Sequence, residues 1–334
     1  MTQHVGIIFT CYETAELLPL KIETHPPGPG EVAGPTIASL ISAGTELGFG
    51  YQGQDFPLSP GYASVFRVEE VGARVKNIKI GDIALAMGHH QSYQRHPASE
   101  VWPLPDGLAA QDATFARLMG VSMSTLVTTT ARPPDHVVVT GLGPVGHLAA
   151  QIFQACGYTV LASDPDATRR ELAHKGGIAE VRDQLPLQDP HWKDKTALVL
   201  ECSGHEQAAL DACRLVKKRG EVVLIGVPWR QRTQLSAHEL LHAIFHRYAV
   251  VRSGWEWEVP KQETEFRAGS IYADIEAALK WLHDGKIRVS GLYSVYDPRD
   301  CQDAYQALLH AREKSLAIVF DWTKFGAYSK SEKG

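Results

Sequence analysis

The chain has 334 residues, enough for two domains, and its 44% hydrophobic and 21% charged residues are the balance of an ordinary folded protein. A net charge of −5 gives neither nucleic acid nor an anionic membrane surface anything to attract, so neither is an expected partner. No apolar run is long enough to span a bilayer, and Met1–Thr10 lacks the basic start and apolar core of a signal peptide.

Residues 1–117 read as β-rich. Strands are expected at Val32–Leu40, Ala63–Val71 and Ile83–Met87, separated by the breaks Pro27-Gly-Pro-Gly30, Ser59-Pro-Gly61 and Lys79–Asp82. The five cysteines (11, 156, 202, 213 and 301) are scattered, with no Cys-x-x-Cys pair. That pattern fits reduced thiols in a cytoplasmic protein, not a disulfide framework or a zinc cluster.

From 118 to 253 strands and helices alternate. Strands are expected at Val137–Thr140, Thr159–Ser163, Thr196–Glu201, Glu221–Ile225 and Tyr248–Arg252, with helices including Gly146–Cys156, Asp166–Lys175 and Gln207–Val216. Such alternation predicts a parallel sheet with right-handed crossovers. The first strand runs into Gly141-Leu142-Gly143-Pro144-Val145-Gly146 and then directly into helix-forming sequence. In this strand-to-helix setting Gly-x-Gly-x-x-Gly is a dinucleotide fingerprint. Gly141 permits the turn, Gly143 lets backbone approach a pyrophosphate, and Gly146 lets the helix pack on the strand. The helix N-terminus offers N–H groups to the phosphates. The second strand ends at Asp164, where a carboxylate accepts from the adenosine ribose of NAD; the alternative is a plain helix cap in Asp164-Pro-Asp166. Arg169 is the neighbouring cofactor candidate, and with Arg170 it leaves a 2′-phosphate, and so NADP, open.

The last segment returns to helix over Ile271–Asp284 and Cys301–Arg312 and to a strand over Ser315–Asp321. A β-rich lobe interrupted by a nucleotide-binding domain, with Leu198–Gly204, Gly220–Gly226 and the closing Gly285-Lys-Ile, Asp303-Ala-Tyr and Ser315-Leu-Ala-Ile, resembles the medium-chain dehydrogenase/reductase superfamily. The resemblance implies an α/β fold: a Rossmann-type parallel sheet domain at 118–253 and a β-rich GroES-like catalytic domain from 1–117 and 254–334. It also places Cys202 and Ser203 beside the nicotinamide ribose, and Gly226 and Val227 by the nicotinamide ring.

Zinc members of the family bind catalytic metal through a cysteine before Gly-Thr/Ser-Asp, a histidine in Gly-His-Glu, and a Cys or Glu before the nucleotide domain. Here those positions read Ala43, Tyr62 and Met119. A methyl, a phenol and a thioether make no tetrahedral zinc site, and the four-cysteine structural lobe is missing as well. His89 and His90 are adjacent, so they point to opposite faces and are not expected to join each other or His96 at a metal. The expectation is no metal.

The resemblance makes Thr45 the hydroxyl that relays a proton from substrate to cofactor ribose. Tyr62 replaces a ligand with a phenol donor, and Glu46 is a third catalytic candidate; filling vacated volume and pinning the loop are the plain alternatives for Tyr62 and Glu46. Without zinc, such donors must stabilise the substrate oxygen during hydride transfer. The pattern Ile41-Ser-Ala-Gly-Thr-Glu46 with Pro60-Gly-Tyr62 is similar to the bacteriochlorophyllide hydroxyethyl dehydrogenases and to sugar- or polyol-type dehydrogenases. Ala63 departs from it, since that subset commonly has glutamate there. The expected protein is thus an NAD(H)-dependent, zinc-independent alcohol dehydrogenase or ketone reductase acting on a small molecule, as a homodimer or homotetramer. An enone or quinone reductase and a non-catalytic cofactor-binding protein are the alternatives. Tyr51, Tyr93, Trp255 and Trp257 are candidate pocket aromatics.

Overall fold

The computed structural model describes residues 4–21, 26–267, 269–311 and 314–326. The chain forms two compact units, Met1–Arg117 with Val289–Gly334, and Leu118–Arg288. Residues 254–288, expected in the first lobe, therefore belong to the second. The reason is packing: the helix Ile271–His283 buries Ile271, Ile275, Ala278, Leu279 and Leu282, and Gly120 lies close against Ile275. Gln151 also ties down both backbone groups of Arg288.

In the first unit, β1 (His4–Cys11) and β2 (Thr14–Leu20) form an antiparallel hairpin. The long β3 (Glu31–Leu40) is the hub. It pairs antiparallel with β4 (Ser64–Arg67) along one half, and with β5 (Glu70–Val71) and β7 (Tyr93–Pro97) along the other. The expected single strand Ala63–Val71 is therefore two short ones, and Gly34 permits the switch. A Cβ there would stand 1.7 Å from the carbonyl oxygen of Arg67. Beyond β4 come β6 (Ile83–Ala86) and β8 (Val101–Pro103).

The second unit carries a six-stranded parallel sheet. Its strands are β9 (His136–Thr140), β10 (Thr159–Ser163), β11 (Glu180–Arg182), β12 (Thr196–Glu201), β13 (Val216–Leu224) and β14 (Val250–Ser253), in the order β11-β10-β9-β12-β13-β14. Order reverses beside β9, and that is where a doubly wound sheet opens its ligand crevice. Strand β14 begins later than expected, because Tyr248 takes a left-handed conformation (φ 53°) that caps the preceding helix, Ala237–Arg247. The chain then returns to the first unit as β15 (Tyr293–Tyr296), the helix Cys301–Leu309 and β16 (Ala317–Asp321); Arg312, the expected helix end, lies outside the described residues. Strand β16 sits between β15 and β3. Together these pieces bury one core of Phe9, Tyr51, Tyr305, Phe320 and Trp322. Among the described residues no helix is long and apolar enough to cross a membrane.

Candidate functional site

In the first unit, β3 runs out through Ile41 into a short helical turn, Ala43–Thr45, followed by a π-helical segment, Glu46–Tyr51. The turn is held from beneath by Glu46, which is almost fully buried. One carboxylate oxygen accepts from the Ser42 N–H at 2.8 Å. The other accepts from Tyr305 Oη at 2.5 Å and faces His90 Nε2 at 3.1 Å. Trp322 Nε1 donates to Ser39 Oγ at 2.8 Å, and His90 Nδ1 is 2.7 Å from that same hydroxyl. If Ser39 gives its own proton to His90 Nδ1, the imidazole is neutral and donates from Nε2 to Glu46. This network is the ground for reading Glu46 as a positioning residue: both oxygens are taken up by protein donors.

Above that base lie three hydroxyls. Tyr62 Oη donates to Ser42 Oγ in a very short hydrogen bond, and Thr45 Oγ1 is 3.5 Å from Tyr62 Oη. The Arg117 guanidinium stacks over the Tyr62 ring, 4.8 Å from its centroid, and is itself buried. Burial pushes the Tyr62 phenol up from its ordinary value, against the pull of its hydroxyl partners and of Arg117. It stays a protonated donor at neutral pH. Ser42 and Arg117 were not singled out from the sequence. Ser42 was legible as the residue before Ala-Gly-Thr, whereas Arg117 was hidden in a segment read only for its missing metal ligand.

The histidines do not converge. His90 is buried in the Glu46 network, while exposed His89 has Nδ1 3.0 Å from the Gly61 carbonyl. His96 Nε2 lies 3.0 Å from Gln94 Oε1, and burial lowers its pKa to about 4. Ala43 offers no ligand atom, and Met119 of the second unit is buried in its apolar core. Among the described residues no group of three or more His, Cys, Asp or Glu side chains is placed to hold a metal. Of the candidate aromatics, Tyr51 is buried and stacked on Tyr305, and Tyr93 donates to Glu70. Trp255 and Trp257 are exposed.

In the second unit, β9 ends at Gly141 with φ +88°, where a Cβ would stand 2.7 Å from the Ser203 amide nitrogen. At Gly146 a Cβ would be 1.8 Å from the Gly141 carbonyl oxygen, so the helix Pro144–Ala155 lies directly on the turn. Around Gly143 nothing lies within 4 Å of a built Cβ, and no side chain caps this helix. The first-turn N–H groups, of Val145 among others, are therefore left for an anion rather than for a side chain. Asp164 is buried; Oδ2 accepts from the Leu142 N–H at 2.7 Å and Oδ1 from the Asp166 N–H at 2.9 Å. Arg169 Nη1 stands 3.4 Å from Oδ2. The helix cap is Asp166, which accepts from the Arg169 N–H, so the plain-cap alternative for Asp164 falls away.

Glu201, at the end of β12, shapes the next turn. It accepts from the Ser203 N–H at 2.8 Å, from the Ser203 hydroxyl in a very short bond, and from the Gly204 N–H at 3.1 Å. Its carbonyl takes the Gly226 N–H at 2.7 Å, which brings Cys202–Gly204 beside Gly226. A Cβ at Gly226 would be 2.2 Å from the Gly204 nitrogen. Burial raises the Cys202 thiol well above its ordinary value, so it stays a neutral lining group, and Val227 stands half exposed.

Residues 144–261 match the family model for "Zinc-binding dehydrogenase". The chain is 28% identical over 262 residues to L-threonine 3-dehydrogenase of Pyrococcus abyssi (strain GE5 / Orsay), covering 64% of this chain and 72% of that enzyme. The model match and this relative support the medium-chain dehydrogenase/reductase superfamily for this chain. Among solved structures, acetophenone reductase of Geotrichum candidum NBRC 4597, in complex with NAD, superposes with a TM-score of 0.76 at 18% identity, over 96% of this chain and 98% of that chain. A Sinorhizobium meliloti 1021 protein bound to NADP gives a TM-score of 0.77 at 18% identity, over 96% and 100%. These two likenesses show the fold, a Rossmann domain and a GroES-like domain.

Proposed function

We propose that this protein is a zinc-independent, NAD(H)-dependent oxidoreductase that interconverts a secondary alcohol and its carbonyl compound by hydride transfer. The observation that carries the proposal is the part-buried Ser42–Tyr62–Thr45 hydroxyl cluster, backed by the Arg117 guanidinium. The side chains at Ala43, Tyr62 and Met119 do not fit zinc, and no step runs through it. They leave a different chemistry: charge that develops on a substrate oxygen meets oriented hydroxyl donors beside a fixed positive charge.

The glycine turn fits a dinucleotide, since Gly143 is open where Gly141 and Gly146 are closed by backbone. Residues 141–146 would take the pyrophosphate, Asp164 and Arg169 the adenosine ribose, and Cys202, Ser203, Gly226 and Val227 the nicotinamide end. When bound, NAD(H) accepts or gives the hydride. Thr45 relays the hydroxyl proton through Oγ1, Ser42 Oγ–H donates to the substrate oxygen, Tyr62 Oη donates to Ser42 and so orients that hydroxyl, and Glu46 fixes the turn that carries Ser42 and Thr45. Asp164 favours NAD, because a carboxylate with one of its roughly four acceptor sites left suits a ribose hydroxyl and repels a 2′-phosphate. A cytoplasmic location and a homodimer or homotetramer belong to the same proposal.

The test is turnover of ketones with NADH by chelator-treated protein whose zinc content is measured. Activity without stoichiometric zinc is expected; activity lost with zinc and restored by it overturns the proposal. Enones in the same panel identify a C=C reductase, and silence toward every substrate identifies a binding protein. NADH should bind about 5–150-fold more tightly than NADPH, a difference that Asp164→Ala shrinks. A preference for NADPH removes the ribose assignment.

A further inference from the structure

The helix Ala237–Arg247 carries His238, His242 and His246 at four-residue spacing, so the three imidazoles form a row on one face. All three are exposed. Ring centroids are 6.2 Å apart for His238 and His242, and 4.2 Å apart for His242 and His246. Their ring nitrogens have no hydrogen-bond partner among the described residues, and they line a groove of about 270 Å³. Two arginines share that groove, and both are neutralised. Arg214 lies 3.2 Å from Asp211 and 3.6 Å from Glu239, and Arg247 pairs with Asp194. A cation entering the groove thus meets free imidazole lone pairs without net repulsion.

We propose that this row is a surface site for a divalent transition metal of the zinc class, held by two imidazoles at a time, with His242 common to both pairs. Histidines one turn apart on a helix converge on a single metal, and His238-Glu239-Leu-Leu-His242 has the spacing on which helical zinc sites are built. Imidazole nitrogen favours zinc, nickel and copper over magnesium and calcium. Glu239 is engaged with Arg214, and among the described residues no third side chain converges, so water completes the coordination and the site binds metal without hydrolytic chemistry. Protons compete with metal for the same nitrogens, so affinity falls as the solution is acidified. None of these residues belongs to the hydroxyl cluster or the glycine turn.

The experiment is a zinc titration of the intact, metal-stripped protein by calorimetry, repeated with magnesium. Saturable uptake of zinc and not magnesium is expected, with a rise in Tm because metal binds the folded helix. His242→Gln, which keeps a good helix former at an exposed position, should weaken binding by more than about tenfold. His238→Gln and His246→Gln should each weaken it less, since the other pair survives. Far-UV circular dichroism and turnover of each variant confirm that the fold is intact. Wild-type affinity in His242→Gln, or no saturable zinc uptake by the wild type, overturns the proposal. Turnover of stripped protein is a separate readout, so the surface site stands or falls apart from the zinc-free chemistry.

Discussion

Tyr62, which we propose stands at a ligand position, makes bonds of its own: its single proton goes to Ser42, and its ring lies under Arg117. Tyr62→Phe keeps the ring and that stacking but leaves Ser42 without its donor. Turnover should fall about 10²–10³-fold, with little change in NADH affinity; unchanged turnover makes the phenol a space-filler. A second residue-scale prediction concerns Asp274. It is buried, its Oδ2 has no hydrogen-bond partner, and burial, with the Glu256 charge adding to it, pushes its pKa up to about 7. The folded carboxyl thus keeps its proton to higher pH than the unfolded one. Its contribution is harmless below about pH 4, and stability is lost as pH rises from there to about 7. Asp274→Asn should therefore stabilise the protein by about 2–4 kcal/mol at pH 8 and hardly at all at pH 4, read from denaturant midpoints. Equal effects at both pH values would show that the carboxyl titrates normally. Single residues were unevenly legible in the sequence. Motif positions were readable because backbone geometry demands glycine there, whereas Arg117, Tyr305 and Trp322 reach the site from distant stretches that no local pattern links.

At the scale of elements, the glycine turn separates steric from ligand demands. Gly146→Ala drives a methyl into the Gly141 carbonyl and should destabilise the protein by about 1–3 kcal/mol even without cofactor. Gly143→Ala meets open space; stability should stay within about 0.5 kcal/mol while NADH binding weakens in a fluorescence titration. Equal loss of stability in both variants would mean that the turn has no face reserved for a ligand. The strands Thr159–Ser163 and Thr196–Glu201 lie where the sequence puts them, because parallel strands covered on both faces read as unbroken apolar runs. The first unit is less legible. Its strands are short and twisted, Ala63–Val71 breaks where β3 changes partner, and the His4–Leu20 hairpin carries no strong turn signal. The helix Ala237–Arg247 escaped notice because Leu241 and Phe245 stand exposed among its histidines, which blurs the apolar stripe.

At the scale of the whole molecule, the second unit is one continuous stretch while the first is assembled from both ends of the chain. Chain shortened after Arg288 should leave a protease-resistant core that still binds NADH, while residues 1–117 are digested; survival of both would show that β3 needs no late partner. Strand β16 fills the place between β15 and β3, so the hub strand waits for a neighbour encoded about 280 residues later in the chain. At ribosomal rates of about 5–20 residues per second, that wait lasts roughly 14–55 s. During it the nascent lobe shows an open, apolar strand edge, the kind of surface that chaperones bind and that neighbouring nascent chains on a polysome adhere to. Synthesis therefore finishes this protein out of order: the middle can fold while the beginning waits for the end.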